Sequence, residues 1–258
     1  MTQTGKNNLI KSFKNAGMFT AFVCAFVFLW QGAVSIVEND YLLPPIGDIV
    51  KEIGRLFADK SFYLSFVATL DRVLKAFLVS FALGLVFAVI SYLLPTFGKI
   101  FSPIVSAMRS LPTMAIILIL LVWSTPKKAP VIVAFLALFP MLYTGMISAL
   151  LTVDQKLSAV CKVYQVPMKK RIFSMYVPIA LPYVMREGAG ALSFSLKLVV
   201  SAEVLANTYL SLGGMLQDSK IWMNMSQTFA LTFIVVIVGL IFEWLGTMLS
   251  ALVERRTK

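Results

Sequence analysis

Few side chains in this 258-residue sequence could do chemistry. It has no histidine, which excludes imidazole acid–base catalysis and His-based metal sites. Cys24 lies inside an apolar block and Cys161 in a basic loop, so neither a disulfide nor a thiolate metal centre is expected. No G-x-x-x-x-G-K-[ST] run is present, so any ATP-driven step must occur in another chain. No paired carboxylates with a credible water cavity point to hydrolysis. What remains are charges set among apolar residues: Arg109, Arg186, Glu187, Lys197, Glu203 and Glu243. Charges at bilayer depth are costly and face a cavity or a partner. On a helix, Ser193, Lys197 and Ser201 follow at i, i+4 and i+8 and form one polar stripe. Two readings stay open. The stripe, with Glu203 and Arg109, lines a solute pathway in which Lys197 favours anionic or polar cargo. Alternatively, Lys197 pairs with Glu203 or Glu243 and only holds helices together.

The elements that must position these residues are membrane spans. The chain is 59% hydrophobic and only 14% charged, against about 25% charged in soluble domains. Its apolar residues fall in blocks near the ~20 residues that cross a bilayer. The expected fold is an all-α membrane protein with six transmembrane helices, at about 16–37, 63–94, 100–123, 129–151, 173–208 and 227–253. The block 16–37 is longer than a signal-peptide core and lacks a small-x-small cleavage site, so it reads as a retained first span. The net charge of +11 sits in short segments between apolar blocks, which is a topology signal and not a nucleic-acid-binding face. Lys6, Lys11, Lys14, Lys99, Lys156, Lys162, Lys169, Lys170, Arg171, Arg255, Arg256 and Lys258 fall on one side. Fewer basic residues, among them Lys51, Arg55, Lys127 and Lys128, fall on the other. This predicts an N-in/C-in arrangement, with residues 1–15 a cytoplasmic N-terminal segment and 16–258 one transmembrane domain.

Two connecting segments have their own pattern. After Pro44-Pro45, the apolar Ile46, Ile49, Val50, Ile53, Leu56 and Phe57 recur with helical spacing. They predict an external amphipathic helix at 46–59. The loop 152–172 is the more informative. Asp154 can cap a helix in which Leu157, Val160, Cys161 and Tyr164 share a face, and Pro167 suits the first turn of a second helix. A membrane protein has little reason to project such a helix into the cytoplasm unless something docks on it. Pro178 and Pro182 then open the fifth span and form a plausible hinge.

These residues carry a resemblance. Ala159-Val160-Cys161, Gln165 and Met175-Tyr176-Val177-Pro178 keep the spacing of E-A-A-x3-G-x9-I-x-L-P, the cytoplasmic signature of ABC importer permeases. Ala159 stands where that family has Glu, and Gln165 where it has Gly. Further segments are similar to the nitrate/sulfonate/taurine branch: Leu43–Val50, Ala68–Leu74 ("ASLxRVL"), Arg109-Ser110-Leu111-Pro112 ("R-x-I-P"), Ala202-Glu203 ("AE") and Leu212–Leu216 ("GLGxxL").

The resemblance implies the type I ABC importer permease fold in the bacterial cytoplasmic membrane. It implies a second permease copy, two separate ABC ATPase subunits and an extracytoplasmic substrate-binding protein, besides membrane lipid. It implies a transport subunit that is not an enzyme and binds no cofactor, with ATP and magnesium used by the partner. The loop 152–172 would be the coupling element, through Leu157, Ala159, Val160, Cys161, Lys162, Tyr164 and Gln165. The cargo implied is a small anion-like solute of the sulfonate, taurine or nitrate class. A thiamine-precursor pyrimidine or other small nutrient is the alternative within the family. A secondary transporter independent of any ATPase is the alternative outside it, and no internal repeat supports that reading. If the turn keeps the left-handed geometry that Gly allows, Gln165 costs on the order of 1 kcal/mol there.

Overall fold

The structure is a computed structural model and describes residues 18, 21, 24–39 and 41–257. Every regular element among them is helical. In chain order these are α1 (Cys24–Val37), then α2 (Ile46–Ala58), α3 (Lys60–Leu93), α4 (Pro95–Ser110), α5 (Thr113–Trp123), α6 (Ala129–Leu151), α7 (Gln155–Val163) and α8 (Met168–Arg171). A π-helical turn (Ile172–Tyr176) leads into α9 (Val177–Leu205), followed by α10 (Leu212–Ile221) and α11 (Met225–Thr257).

Four stretches are long and apolar enough to cross a membrane: Lys60–Leu93, Ala129–Leu151, Ile172–Leu205 and Met225–Leu252. α3 alone has 34 residues, a length of about 51 Å, more than a hydrocarbon core requires. The expected first span lies partly outside the described residues, and the segment 1–15 wholly so. Its described part, α1, is shorter than a full crossing.

The expected continuous third span is corrected. Residues 95–123 form two helices bent by 92° at Leu111-Pro112. Pro112 has no N–H to return to the preceding turn, and its ring disfavours helical geometry at the residue before it. Leu111 accordingly turns extended, with φ −70° and ψ 126°.

Two compact units make up the chain. The smaller takes the segment up to Asp59 together with Asp218–Leu231. In it the Trp30 indole N–H donates to the Pro44 carbonyl at 3.1 Å, and its ring meets Phe229 edge-on at 5.2 Å. α2 buries Ile49 and Leu56 but leaves Val50 and Phe57 half exposed, so its expected apolar face is only partly covered.

The larger unit spans Lys60–Gln217 and Thr232–Lys258. Its core is built where α3, α6 and α9 pack together, around Val73, Ala76, Leu138, Leu142, Met146, Leu196 and Val199. Small residues permit the close approach. A Cβ on Gly84 would lie 3.2 Å from Leu142 Cβ and 3.3 Å from the Tyr143 backbone nitrogen. An aromatic cluster holds α4 against this core. Phe101 stacks on Phe87 at 4.9 Å and meets Tyr143 edge-on at 5.3 Å, and the Tyr143 hydroxyl donates to Ser91 Oγ at 2.9 Å. α4, which leads to the break at Pro112, is thereby held against α3 and α6.

Candidate functional site

A buried polar cluster ties α3, α9 and α10 together. Thr69 and Arg72 are three residues apart on α3 and therefore share a face. Glu203 lies in the last turn of α9 and is fully buried. Arg72 Nη1 donates to Glu203 Oε1 at 2.7 Å. The Thr69 hydroxyl reaches both carboxylate oxygens, at 3.1 and 3.0 Å. The Gly213 N–H donates to Glu203 Oε2 at 3.2 Å. Arg72 also reaches the Leu210 carbonyl with both terminal nitrogens, at 3.3 and 3.4 Å.

The first N–H groups of a helix have no partner within it, and here all three are satisfied in different ways. Leu212 N–H donates to Thr69 Oγ1 at 2.9 Å, Gly213 to the Glu203 carboxylate, and Gly214 to the Ser211 hydroxyl at 2.8 Å. A negative carboxylate at that end also complements the dipole of α10. No side chain fits at Gly213, since a Cβ there would press on Glu203 and lie 2.6 Å from the Val200 carbonyl oxygen. Three segments far apart in sequence, 68–74, 202–203 and 212–216, thus form one lock. Nothing in it is arranged for bond making. Its chemistry is to hold the α9–α10 connection rigidly onto α3.

Sequence reasoning had Glu203 either on a pathway or beside Lys197. The structure pairs it with Arg72 instead, a residue singled out for no role. The available signal was the i, i+3 placement of Thr69 and Arg72, because an arginine within a span requires a counter-charge.

The expected polar stripe divides. Ser193 is buried, and its hydroxyl donates to the Gly239 carbonyl of α11 at 3.2 Å. Lys197 and Ser201 lie exposed on α9, on the same side as Phe194. Arg109, in the last turn of α4, lines a cavity of about 250 Å³ with Thr113, Met141, Thr144 and Phe194. The cavity sits at the α4–α5 break, walled by α6 and α9.

The loop 152–172 folds as a capped helix and a tight turn. Asp154 Oδ1 accepts from the Lys156 N–H at 2.8 Å and caps α7. Leu157 (46% exposed), Val160 (51%) and Tyr164 (77%) present an uncovered apolar side, and Ala159 is exposed with them. Cys161 faces the other way, its Sγ 3.8 Å from Met175 Sδ. The Lys162 side chain lies outside the described residues. Gln165 has φ +48°, and the Val166 N–H bonds back to the Cys161 carbonyl at 3.0 Å. This is a left-handed helix stop of the kind usually filled by glycine. The turn therefore keeps its left-handed geometry despite the side chain. Arg171 Nε donates to the Val166 carbonyl at 3.0 Å and closes the loop on itself. Pro178 and Pro182 sit half buried in α9, directly after the π-helical turn. Such turns loosen the regular helical ladder.

The family described as "Binding-protein-dependent transport system inner membrane component" matches residues 80–258. The taurine transport system permease protein TauC of Escherichia coli (strain K12) is 22% identical over 234 residues, which cover 88% of this chain and 84% of TauC. Among solved structures, an amino acid ABC transporter crystallised with histidines aligns with TM-score 0.61 and 15% identity, over 76% of this chain and 94% of that one. The MetNI methionine ABC transporter, in an inward-facing conformation, aligns with TM-score 0.59 and 18% identity, over 72% and 93%. These two show the shared fold. The match over residues 80–258 shows the family: this chain belongs to the inner-membrane components of binding-protein-dependent transport systems, and is a multi-pass, all-α permease subunit of an ABC importer in the bacterial plasma membrane.

Proposed function

We propose that two copies of this chain form the translocation pathway of an ATP-driven importer for a small anion-like solute, coupled to a separate ATPase through the loop 152–172. ATP and magnesium would act in that partner, and an extracytoplasmic binding protein would deliver the cargo. The observation that carries the coupling role is the uncovered apolar side of α7. Leu157 and Val160 on α7 and Tyr164 in the turn that follows stand exposed between two membrane-crossing segments, α6 and α9, and both ends of that helix are closed by hydrogen bonds. An exposed apolar patch on a rigid support is the usual form of a docking element. With an alanine at 159, docking rests on Leu157, Val160 and Tyr164 rather than on a carboxylate. The cargo class is supported by the similarity to the taurine permease. Closure of the ATPase pair would draw the two α7 helices together and move α9 about the π turn and Pro178–Pro182, giving alternating access.

The test is co-purification with a candidate ABC ATPase expressed together with this chain. Wild type should retain it, and Val160→Asp and Tyr164→Asp, still inserted in the membrane, should lose it. Unchanged capture by the variants removes the coupling role from α7. Failure of any ATPase to associate leaves the family membership standing and removes the coupling proposed here.

A further inference from the structure

We infer that the permease itself selects negatively charged cargo: Arg109, at the α4–α5 break, and Lys197, on the exposed face of α9, form a cationic lining past which a small organic anion, a sulfonate or carboxylate, is conducted. This rests on the importer reading above and adds a charge filter within the membrane to the selection made by a binding protein.

The argument begins with cost. A cation within a membrane-crossing stretch is expensive unless it is paired or faces water. Arg109 and Lys197 have no ion pair among the described residues, whereas Arg72 is paired with Glu203. The carboxylates that could have served them are committed or apart. Glu203 is enclosed by Arg72, Thr69 and Gly213. Glu187 is packed against Gly145 of α6, where an added Cβ would lie 2.5 Å from Oε2. No ion pair joins Glu243 to either cation among the described residues.

The two cations also share a surface. Phe194 of α9 walls the cavity that Arg109 and Thr144 line. From Phe194 the exposed side of α9 continues at i+3 to Lys197 and at i+7 to Ser201. α5 leaves the same cavity through Thr113 and Ile116, and Ile117 packs against Ala202 of α9. The helix start at Thr113 adds a positive dipole end beside Arg109. A face with two cations unpaired among the described residues and a hydroxyl at Ser201 suits an anion in water and not lipid. A low-dielectric wall focuses such a field, so opposite charge is concentrated and like charge excluded.

The probe is a pair of thiol reagents of similar size, a sulfonate-bearing and a quaternary-ammonium-bearing methanethiosulfonate. Each is attacked by a thiolate, forms a disulfide and releases methanesulfinate. In the full-length chain with Cys24→Ser and Cys161→Ser, a Ser201→Cys thiol in membrane vesicles should react at least about fivefold faster with the sulfonate reagent. Arg109→Gln and Lys197→Gln should each bring the ratio towards one, and Lys197→Arg should restore it. No reaction with either reagent, or a ratio of one or below with both cations present, overturns the inference. ATPase capture is measured in parallel on the chain that keeps Cys24 and Cys161. Capture with no charge preference leaves the importer reading standing and removes the filter. Charge preference without capture supports the filter and removes the coupling.

Discussion

Arg72 and Glu203 are 131 positions apart in sequence, yet their side chains meet at 2.7 Å in the interior of the larger unit. The carboxylate is fully enclosed and the guanidinium nearly so. Breaking a buried pair leaves one charge without compensation, at a cost of about 3–5 kcal/mol. Arg72→Met and Glu203→Leu should each lower the thermal unfolding temperature of the detergent-purified protein sharply. The double variant should lose much less than the sum. Additive losses in that cycle would show that the two residues act independently.

Gly213 is required by close approach. An added Cβ would lie 2.6 Å from the Val200 oxygen and 2.7 Å from the Val204 nitrogen, both backbone atoms that cannot turn aside. Gly213→Ala should therefore destabilise on the order of 3 kcal/mol. Gly54 in α2 has open space around it. Gly54→Ala should be neutral or stabilising by up to about 1 kcal/mol. Equal melting shifts for the two would contradict this account.

The turn after α7 predicts a gain. Gln165 is held at φ +48°, which costs about 1–2 kcal/mol for a residue with a Cβ. Gln165→Gly should relieve most of it, protect the loop in hydrogen exchange and leave ATPase capture intact. Asp154→Ala should act in the opposite direction, with a loss of about 1 kcal/mol from the uncapped helix and weaker capture. Faster exchange in the glycine variant would show that the turn is not strained.

The proline pair predicts a separation of transport from assembly. In α9, Pro182 withholds the N–H that would bond to the Pro178 carbonyl. Pro182→Ala restores that bond and stiffens the helix next to the π turn. Uptake in proteoliposomes should fall while ATPase capture stays unchanged. Full uptake would exclude bending at this point as the moving step.

Prolines also show where sequence reading ends. Pro103, Pro140 and Pro182 all lie inside continuing helices, whereas at Pro112 the chain turns by 92°. The residue type is the same in each case. The difference lies in what the following helix can pack against. Beyond Pro112, Ile117 finds Val133 of α6 and Ala202 of α9, a contact that a straight continuation of α4 need not make. That packing rewards the bend, and one chain segment read alone does not contain it.

Besides the left-handed turn at Gln165, suggested only by the glycine of the family signature, the all-α class, the approximate limits of most spans and the Asp154 cap were legible from local pattern. Each depends on neighbours a few positions away, or on the fixed thickness of a bilayer that sets how long an apolar block must be. The tertiary structure decided which charges are partners. Lys197 and Arg72 are both cations in long apolar helices, and their residue types alone do not say which of them Glu203 takes. Only the packing of α3 against α9 places Arg72, and not Lys197, over the carboxylate of Glu203, and among the described residues it leaves Lys197 and Arg109 exposed and without an ion pair. Pairing between distant charges follows from which helix faces meet, and that depends on the volumes of every side chain between them.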